Sequence, residues 1–405
     1  MVIVGGGFAG LSAVKSLRGA DVDVLLLDSR PYSTFQPLLY QVATGGLNPG
    51  DVTYPFRALA GRTRTVRFRQ ARMTGLDPAG RRVQLDDGDA VPYDYLILCL
   101  GVTASFFGIP GAAEHAQTIY SRSAAIHVRD TVFANLEAVA QGRPDAVDPV
   151  MVVVGAGPTG VEMAGTLAEL RNVAIPRMYP EVPAERVRVV LVEMTGEVLG
   201  AFGPKLRAYT ADELRARGVE LRLGTAVSEV RADSVVLDDG TVLPSAVTIW
   251  ASGVQVHDDV AGWGLPQTRG GRLQVDAHMR VVGHPEIFAV GDLAASPEPL
   301  PQLAQPAIQG GRHAGEQVKR LLAGQATTPL RYRDKGTMAT IGRNDAVLQM
   351  PGGFTLRGHL AWLGWLGLHI FMLSGTRNRL ATLANLGVRY LTWPAGLNVI
   401  VGDTP

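Results

Sequence analysis

The chain of 405 residues contains a single cysteine, Cys99. One cysteine excludes an intrachain disulfide, a redox-active pair of thiols and any zinc site built from several cysteines. Cys99 lies in the apolar stretch "YDYLILCLG", which predicts a buried strand, so we expect it to be a small core residue. So little cysteine is typical of a reducing, intracellular compartment.

The sequence also lacks an excess of charge of one sign and lacks long apolar runs. The formal net charge is +1, which gives no general field to attract nucleic acid. No segment reaches the roughly 20 apolar residues that span a bilayer. The opening "MVIVGGGFAG" leads directly into a strand and a glycine turn, which predicts no signal peptide. The eight histidines show no ligand spacing, so no metal site is predicted.

Residues 1–28 predict a strand–helix–strand unit that binds a dinucleotide. A strand at 2–4 precedes a glycine turn at 5–10, a helix from Leu11 to about Arg18, and a second strand that ends at Asp28. In such a turn the first glycine permits the tight bend, the second admits a pyrophosphate, and the third lets helix pack on strand. The predicted nucleotide contacts are Gly5, Gly7, Phe8, Ala9, Gly10 and Asp28.

A second copy of this pattern begins at "MVVVGAGPTGVEMAG" (151–165). Its strand, glycine turn and helix are followed by "RVRVVLVE", a strand that ends at Glu193. No Arg or Lys directly follows Glu193 to pair with a 2′-phosphate, so the pattern favours NADH over NADPH. The predicted contacts here are Gly155, Gly157, Thr159, Gly160 and Glu193.

The internal repeat extends beyond the glycine turns. The stretch 83–101 aligns without a gap on 235–253, and each copy predicts a β-hairpin with an Asp-Gly turn and then a buried strand. Each copy ends at a glycine expected near its nucleotide, Gly101 or Gly253. A helical linker is predicted between the two domains at 121–142.

The stretch "IFAVGDLA" (287–294) predicts a buried strand that ends at Gly291 and Asp292. It resembles the second FAD fingerprint of flavoproteins with two dinucleotide-binding domains, whose Asp binds the ribityl chain. The resemblance implies non-covalent FAD at the first site and NADH at the second. Among such flavoproteins, disulfide reductases need a cysteine pair and sulfide:quinone oxidoreductases need several cysteines, so one cysteine excludes both.

Longer stretches resemble the type II NADH dehydrogenases, which are single-subunit NADH:quinone oxidoreductases. They are "STFQPLLYQVATGGLNPGDVTYPFR" (33–57), "WASGV" (250–254), "LAQPAIQGG" (303–311), "GTMATIGRNDAV" (336–347) and "AWLGWLGLHIFMLSGTRNRL" (361–380). The resemblance implies hydride transfer from NADH to FAD and then two electrons to a membrane quinone. The fold it implies is α/β, with two Rossmann-like domains and a C-terminal helical segment that associates with the membrane.

The resemblance also assigns site residues. Glu162 takes the place of an acid near flavin and nicotinamide, although an acid in the first turn of a helix can simply complement the helix dipole. Gln305 and Gln309 match a pair on the quinone side of the flavin, unless they are ordinary solvent-facing helix residues. Glu162, Gln305 and Gln309 are the predicted catalytic residues. The further predicted flavin contacts are Gln36, Thr44, Ala304 and Gln305, and Glu162 is also predicted to contact NADH.

The fifteen residues from His359 to Leu373 contain no Asp, Glu, Lys or Arg. As a helix they measure about 22 Å, shorter than the roughly 30 Å of a hydrocarbon core. With Trp362, Trp365 and Trp393 at the interface and Arg377 and Arg379 at headgroups, we expect this helix and a second one to lie in the membrane surface. The alternative is that both helices pack on the body or form a homodimer interface.

These predictions divide the chain into a discontinuous FAD domain (1–120 and 265–345), an inserted NADH domain (121–264) and a C-terminal membrane segment (346–405). The expected protein is a homodimer, peripheral on the cytoplasmic face of the cell membrane, with anionic lipid and quinone as partners and no nucleic acid. Two other functions are considered. One is a soluble NADH-dependent reductase of a protein acceptor such as ferredoxin or rubredoxin, and the other is a non-enzymatic flavoprotein sensor.

Overall fold

The computed structural model describes residues 1–62 and 64–392, and of residues 389–392 only the backbone. Trp393 and the remainder of the predicted membrane segment to residue 405 lie outside the described residues. The described chain forms two compact units. Unit 1 comprises residues 1–33, 54–62, 64–103 and 254–334, and unit 2 comprises residues 34–53, 104–253 and 335–392.

The strands, in chain order, are β1 (Val2–Val4), β2 (Val24–Asp28), β3 (Tyr32–Thr34), β4 (Thr53–Pro55), β5 (Val66–Gln70), β6 (Met73–Asp77), β7 (Arg82–Leu85), β8 (Ala90–Pro92), β9 (Leu96–Leu98), β10 (Thr103–Ala104), β11 (Ala116–Thr118), β12 (Val150–Val154), β13 (Arg188–Glu193), β14 (Val219–Leu223), β15 (Val227–Val230), β16 (Ser234–Leu237), β17 (Val242–Pro244), β18 (Val247–Trp250), β19 (Val254–Gln255), β20 (Leu273–Gln274), β21 (Arg280–Val281), β22 (His284–Ala289), β23 (Ala294–Ala295), β24 (Thr337–Gly342), β25 (Asp345–Gln349) and β26 (Thr355–Arg357).

The α-helices are α1 (Phe8–Ser16), α2 (Leu39–Ala43), α3 (Phe56–Ala60), α4 (Ala112–His115), α5 (Arg122–Ala140), α6 (Pro158–Glu169), α7 (Ile175–Met178), α8 (Pro204–Ala216), α9 (Ala304–Leu322), α10 (His359–Met372) and α11 (Thr376–Thr392). Helix α1 begins at Phe8, inside the glycine turn, and the prediction of a start at Leu11 is therefore wrong by three residues. The helix predicted at 121–142 is confirmed as α5, but it lies inside unit 2 and does not link the two units. Ser121 caps it by accepting a hydrogen bond from the N–H of Ala124.

Unit 1 is built on a six-stranded sheet of order β21-β22-β9-β1-β2-β5. Its strands pair in parallel except for β21, which is antiparallel to β22. The central strands are short runs of Val, Ile and Leu, and β1 and β9 are buried at every position. Such runs are typical of parallel strands that helices cover on both faces. Helices α1 and α9 pack against each other in this unit.

Unit 2 contains a five-stranded parallel sheet of order β11-β18-β12-β13-β14. A three-stranded antiparallel sheet, β24-β25-β26, lies in the same unit, and helix α6 packs on β24. This contact places the middle of α6, which follows the second glycine turn, against residues that lie far along the chain.

The internal repeat is confirmed in the strand bounds. Strands β7 and β8 of unit 1 correspond to β16 and β17 of unit 2 at a constant offset, Arg82 matching Ser234 and Ala90 matching Val242. Each hairpin is followed by a buried strand of its unit's parallel sheet, β9 or β18. The two units therefore present their glycine turns on the same local scaffold. The mixed α/β class that the sequence predicts is confirmed.

Candidate active site

The three glycines of the first turn have different surroundings, in line with the three roles that the sequence predicts. Gly5 has a φ of +96°, and a Cβ there would lie 2.5 Å from the carbonyl oxygen of Cys99. A Cβ on Gly10 would lie 1.8 Å from the carbonyl oxygen of Gly5. A Cβ on Gly7, in contrast, would meet no protein atom within 4 Å. Gly5 and Gly10 therefore serve the fold, and Gly7 borders the open space that a pyrophosphate would use.

The second turn has the same arrangement. Gly155 has a φ of +99°, and a Cβ on Gly160 would lie 1.8 Å from the carbonyl oxygen of Gly155. A Cβ on Gly157 would again meet nothing within 4 Å. Both turns therefore leave the middle glycine open in front of a helix N-terminus, where unpaired N–H groups favour an anion.

Replacing Gly157 with Ala is expected to weaken NADH binding at least about tenfold, or 1.4 kcal/mol, and to leave the stability of the nucleotide-free protein unchanged. Gly157 has a φ of −69°, which Ala adopts freely, and only the nucleotide would meet the new methyl group. NADH titration and thermal unfolding measure the two effects. In the matched variant Gly160→Ala we expect a loss of stability instead. Equal losses of stability in the two variants would contradict this division of roles.

The predicted ribose-binding acids each hold the glycine turn that precedes them. Asp28 Oδ2 accepts a hydrogen bond of 2.7 Å from Gly6 N, and burial raises the pKa of Asp28. Glu193 Oε2 accepts one of 2.7 Å from Ala156 N, and its Oε1 accepts from the N–H and hydroxyl of Thr195 at 2.9 and 3.0 Å. Each carboxylate retains lone pairs for ribose hydroxyls beside the turn.

Unit 1 brings a second set of polar groups to the ends of β22 and α9. Asp292 follows β22 in a short 3₁₀ turn, and burial raises its pKa to about 6, an effect that the charge of Arg272 partly offsets. The Oε1 atom of Gln305, in the first turn of α9, is buried and has no hydrogen-bond donor. An open pyrophosphate position, a buried acid and an orphaned amide oxygen fit the polar groups of FAD.

The structure distinguishes the two predicted glutamines of α9. The Gln309 amide donates to the carbonyl oxygen of Arg333 at 2.9 Å and accepts from its N–H at 3.0 Å. It therefore fixes the segment after α9, whereas the side-chain oxygen of Gln305 has no such partner. Gln305 is the better placed of the two to meet a ligand.

The other residues predicted for FAD and NADH lie at element ends. Phe8 and Ala9 open α1, Thr159 lies in the first turn of α6 and Ala304 opens α9. Gly101 and Gly253 follow the equivalent strands β9 and β18, with φ values of +68° and +70°. In unit 2, Gln36 donates to the carbonyl oxygen of Tyr120 at 3.3 Å, and the buried Thr44 hydroxyl donates to that of Tyr40 at 3.0 Å. The contacts that the sequence predicts for these residues with flavin and NADH stay predictions.

Glu162 is the most perturbed acid of unit 2. Its side chain is buried, and its Oε1 accepts a hydrogen bond of 3.3 Å from the N–H of Thr340 on β24. Burial raises the pKa of Glu162 to about 8, and the Thr340 N–H and the Trp365 side chain offset part of that rise. The buried indole N–H of Trp365 does not reach normal hydrogen-bond geometry with any acceptor. Glu162 is therefore protonated at neutral pH and can donate a proton.

Thr340 and Trp365 are site residues that sequence reasoning missed. They lie on β24 and α10, and Thr340 is 178 positions from Glu162. Only the stretch "GTMATIGRNDAV", already singled out by its family resemblance, hints at a role for β24.

The prediction that Trp362 and Trp365 face a membrane surface is wrong, because their exposed fractions are 6% and 2%. Trp365 stacks on His369 with ring centroids 4.0 Å apart, and burial lowers the pKa of His369 to about 4. The opposite side of α10 carries exposed Leu360, Leu363, Leu368 and Phe371, which we call the apolar stripe. Among residues 1–62 and 64–392, no helix is long and apolar enough to span a bilayer.

Comparison with known proteins gives consistent matches. The family described as "Pyridine nucleotide-disulphide oxidoreductase" matches residues 1–311. The chain is 37% identical to the type II NADH:quinone oxidoreductase Ndh of Mycobacterium tuberculosis, over 98% of this chain and 89% of the relative. It is 31% identical to that of Staphylococcus haemolyticus, over 86% and 88%. The solved structure of NDH2 from Plasmodium falciparum in complex with NADH has the same fold, with a TM-score of 0.89 at 19% identity over 98% of this chain and 99% of that one.

Proposed function

Because this chain belongs to the pyridine nucleotide-disulphide oxidoreductases and, within them, to the type II NADH:quinone oxidoreductases, we propose that it oxidises NADH and reduces a quinone through bound FAD. The observation that carries the proposal is the pair of glycine turns with one geometry, each beside its own ribose-binding acid. The one cysteine is buried, and burial raises the pKa of its thiol, so electrons have no thiol route and pass directly from flavin to acceptor.

When bound, FAD would supply the two-electron redox chemistry that connects NADH oxidation to quinone reduction. The protein residues supply position and protons. Gly7 and Gly157 admit the two pyrophosphates, and Asp28 and Glu193 hold the riboses. Overall, NADH, one proton and quinone give NAD⁺ and quinol, so one proton per turnover comes from the medium.

We assign the proton chemistry to Glu162 and the positioning of quinone to Gln305. Glu162 is buried and protonated at neutral pH, so it can give a proton to a quinone oxygen and take one back from the medium. The amide N–H of Gln305 can donate a hydrogen bond to a quinone oxygen, and this side chain does not titrate. Gln309 supports this position by holding the backbone of Arg333.

Steady-state NADH oxidation in liposomes that contain ubiquinone or menaquinone analogues tests the function directly. Rapid turnover with a quinone supports it. Turnover with ferredoxin or rubredoxin but with neither quinone would support the soluble reductase instead. The relatives at 37% and 31% identity, both quinone oxidoreductases by name, favour the first result.

We further propose that the apolar stripe attaches the protein to the cytoplasmic face of the membrane. Four large apolar side chains on one side of one helix are exposed, from 43% for Leu368 to 69% for Phe371. Arg357, Arg377 and Arg379 lie just outside α10 and are also exposed, which suits anionic headgroups. Helix α10 would thus lie in the surface with its tryptophans inward.

Replacing Leu363 and Phe371 together with Glu is expected to weaken binding to phosphatidylglycerol vesicles at least about a hundredfold, since each buried apolar side chain is worth about 1.5–3 kcal/mol. Vesicle sedimentation measures the binding, and NADH:ferricyanide activity should be unchanged. The control Leu322→Glu alters an exposed leucine on α9 of unit 1. Point changes are preferable to deletion of residues 352–405, which would remove the buried Trp362 and Trp365 and, with Trp365, the ring that packs against Tyr40.

The same double variant distinguishes membrane attachment by the apolar stripe from contact of the stripe with a second copy of the chain. We propose a homodimer as well, and sedimentation velocity reports its state. Unchanged vesicle binding with conversion of dimer to monomer would make the apolar stripe the subunit interface and would refute the membrane attachment.

A further inference from the structure

Helix α6 buries a second acid, Glu169, that the proposed reaction does not use. Glu162 and Glu169 are seven residues apart, about two turns or 10.5 Å along the helix, so both face β24. Glu162 accepts from Thr340 N, and Glu169 Oε1 accepts from Arg343 N. Between them Gly165 lets the strand come close, since a Cβ there would lie 2.2 Å from the carbonyl oxygen of Ile341.

A small polar cavity lies at this contact. Its volume is about 10 Å³, the space that one water molecule requires. Tyr40, Gln41, Glu169, Thr340 and Arg343 contribute to its walls. A water there would have the two to four polar partners that buried waters need.

Hydroxyl groups continue from the cavity toward Glu162. The Gln41 amide donates to the Tyr40 hydroxyl at 3.1 Å, and that hydroxyl lies 3.1 Å from Thr340 Oγ1, with either oxygen able to donate. Tyr40 and Thr340 are both buried. Thr340 therefore contacts the Tyr40 hydroxyl through its side chain and the Glu162 carboxyl through its backbone N–H.

At the Glu169 end of the cavity, the neighbouring charged side chains lie closer to solvent. Arg217 Nη1 lies 4.0 Å from Glu169 Oε1, and Arg217 Nη2 lies 3.6 Å from Asp345 Oδ2. Asp345 accepts a hydrogen bond of 3.0 Å from the Tyr209 hydroxyl. The Arg217 side chain is 22% exposed, whereas that of Glu169 is 10% exposed, so Glu169 lies just behind a solvent-accessible cation.

We propose that Glu169, a water in this cavity and the Tyr40–Thr340 hydroxyl pair form the route by which Glu162 regains its proton from solvent. The inference rests on the proposed role of Glu162. After Glu162 gives its proton to quinone, a proton entering at Glu169 passes to the water. The Tyr40 and Thr340 hydroxyls each accept one proton and release their own. The Thr340 hydroxyl gives the last proton to the Glu162 carboxyl, because the backbone N–H that holds this carboxyl cannot carry one. No electron moves along this route, and one proton per turnover crosses it.

The experiment measures proton exchange at Glu162 in the FAD-containing protein without NADH or quinone. After transfer to D₂O at pH 6, infrared spectroscopy follows the shift of the protonated carboxyl band, which Glu162→Gln identifies by its loss. In Tyr40→Phe, Thr340→Val and Glu169→Gln we expect exchange at least about tenfold slower than in the wild type. Thr340→Val keeps the N–H that binds Glu162 and removes only the hydroxyl, and Thr340→Ser should restore the rate.

A matched control is Tyr93→Phe in unit 1. It removes another buried hydroxyl, which has no hydrogen-bond partner among the described residues. It should exchange at the wild-type rate. Wild-type exchange in both Tyr40→Phe and Thr340→Val would overturn the route, as would a Thr340→Ser variant as slow as Thr340→Val. If the wild type fails to reduce quinone, only the proposed function is refuted and not the proton route, because the exchange rates do not depend on turnover.

Discussion

Replacing Glu162 with Gln is expected to slow quinone-dependent NADH oxidation about a hundredfold, the range in which removal of a general acid falls. Gln fills nearly the same volume but cannot release and regain a proton. Reduction of bound FAD by NADH should proceed at the wild-type rate, because hydride transfer depends on orientation more than on acid–base help. Stopped-flow spectroscopy separates the two half-reactions.

The control for that experiment is Glu316→Gln, on the exposed face of α9, where Glu316 forms an ion pair with Arg312. Its turnover should equal that of the wild type. Unchanged turnover in Glu162→Gln would remove Glu162 from the proton chemistry. Slowing of hydride transfer alone would place its role at the nicotinamide instead.

The free energy of unfolding at two pH values tests whether Glu162→Gln acts by unfolding the protein. Burial raises the pKa of Glu162 from 4.5 to about 8, so its contribution to folding is complete below pH 4.5 and is lost as pH rises toward 8. The loss has an upper limit of roughly 5 kcal/mol. The variant should therefore be close to the wild type at pH 4 and exceed it in the free energy of unfolding at pH 9. Denaturant titrations at the two pH values measure the difference.

Replacing Gly311 with Ala is expected to lower the free energy of unfolding by about 3 kcal/mol or more and to release FAD. A Cβ at Gly311 would lie 2.0 Å from the carbonyl oxygen of Ala9 and 2.7 Å from its Cα, both backbone atoms of the first turn of α1. Helices α1 and α9 would have to separate, and the pyrophosphate-binding end of α1 would move with them. Calorimetry and the flavin content of the purified protein measure the two effects.

The adjacent glycine is the matched control. A Cβ at Gly310 would lie 3.4 Å from Val290 Cβ, an ordinary contact, and Ala is favoured over Gly in a helix by about 1 kcal/mol. Gly310→Ala should therefore be neutral or slightly stabilising and keep its FAD. Similar destabilisation at both positions would show that the close approach at Ala9 is not what requires glycine.

Features that depend on local spacing could be predicted from the sequence. The two glycine turns, the acids at the ends of β2 and β13 and the repeated hairpins each occupy a short stretch, and glycine geometry admits few alternatives. The orientation of α10 could not be predicted in this way. Both of its sides are apolar, so the periodicity gives no contrast between Trp365, which is buried, and Phe371, which is 69% exposed.

The surroundings of Glu162 could not be predicted from the sequence for a different reason. A glutamate in the first turns of a helix has an ordinary explanation, so the sequence does not single out Glu162 as a buried acid. Its neighbours are brought in by the packing of α6 on β24, which is a tertiary contact between distant segments. Thr340, Trp365 and the second acid Glu169 become visible as a group only when the chain is folded.

The packing of α1 on α9 also constrains how the protein is made. Lys319 of α9 donates to the carbonyl oxygen of Arg18, 301 positions away, and Gly311 must meet Ala9 over a similar separation. At roughly 5–20 residues per second, a ribosome needs about 15–60 s to deliver α9 after α1 has emerged. During that interval the apolar face of α1 lacks its partner, so unit 1 cannot complete its packing until more than three quarters of the protein has been synthesised.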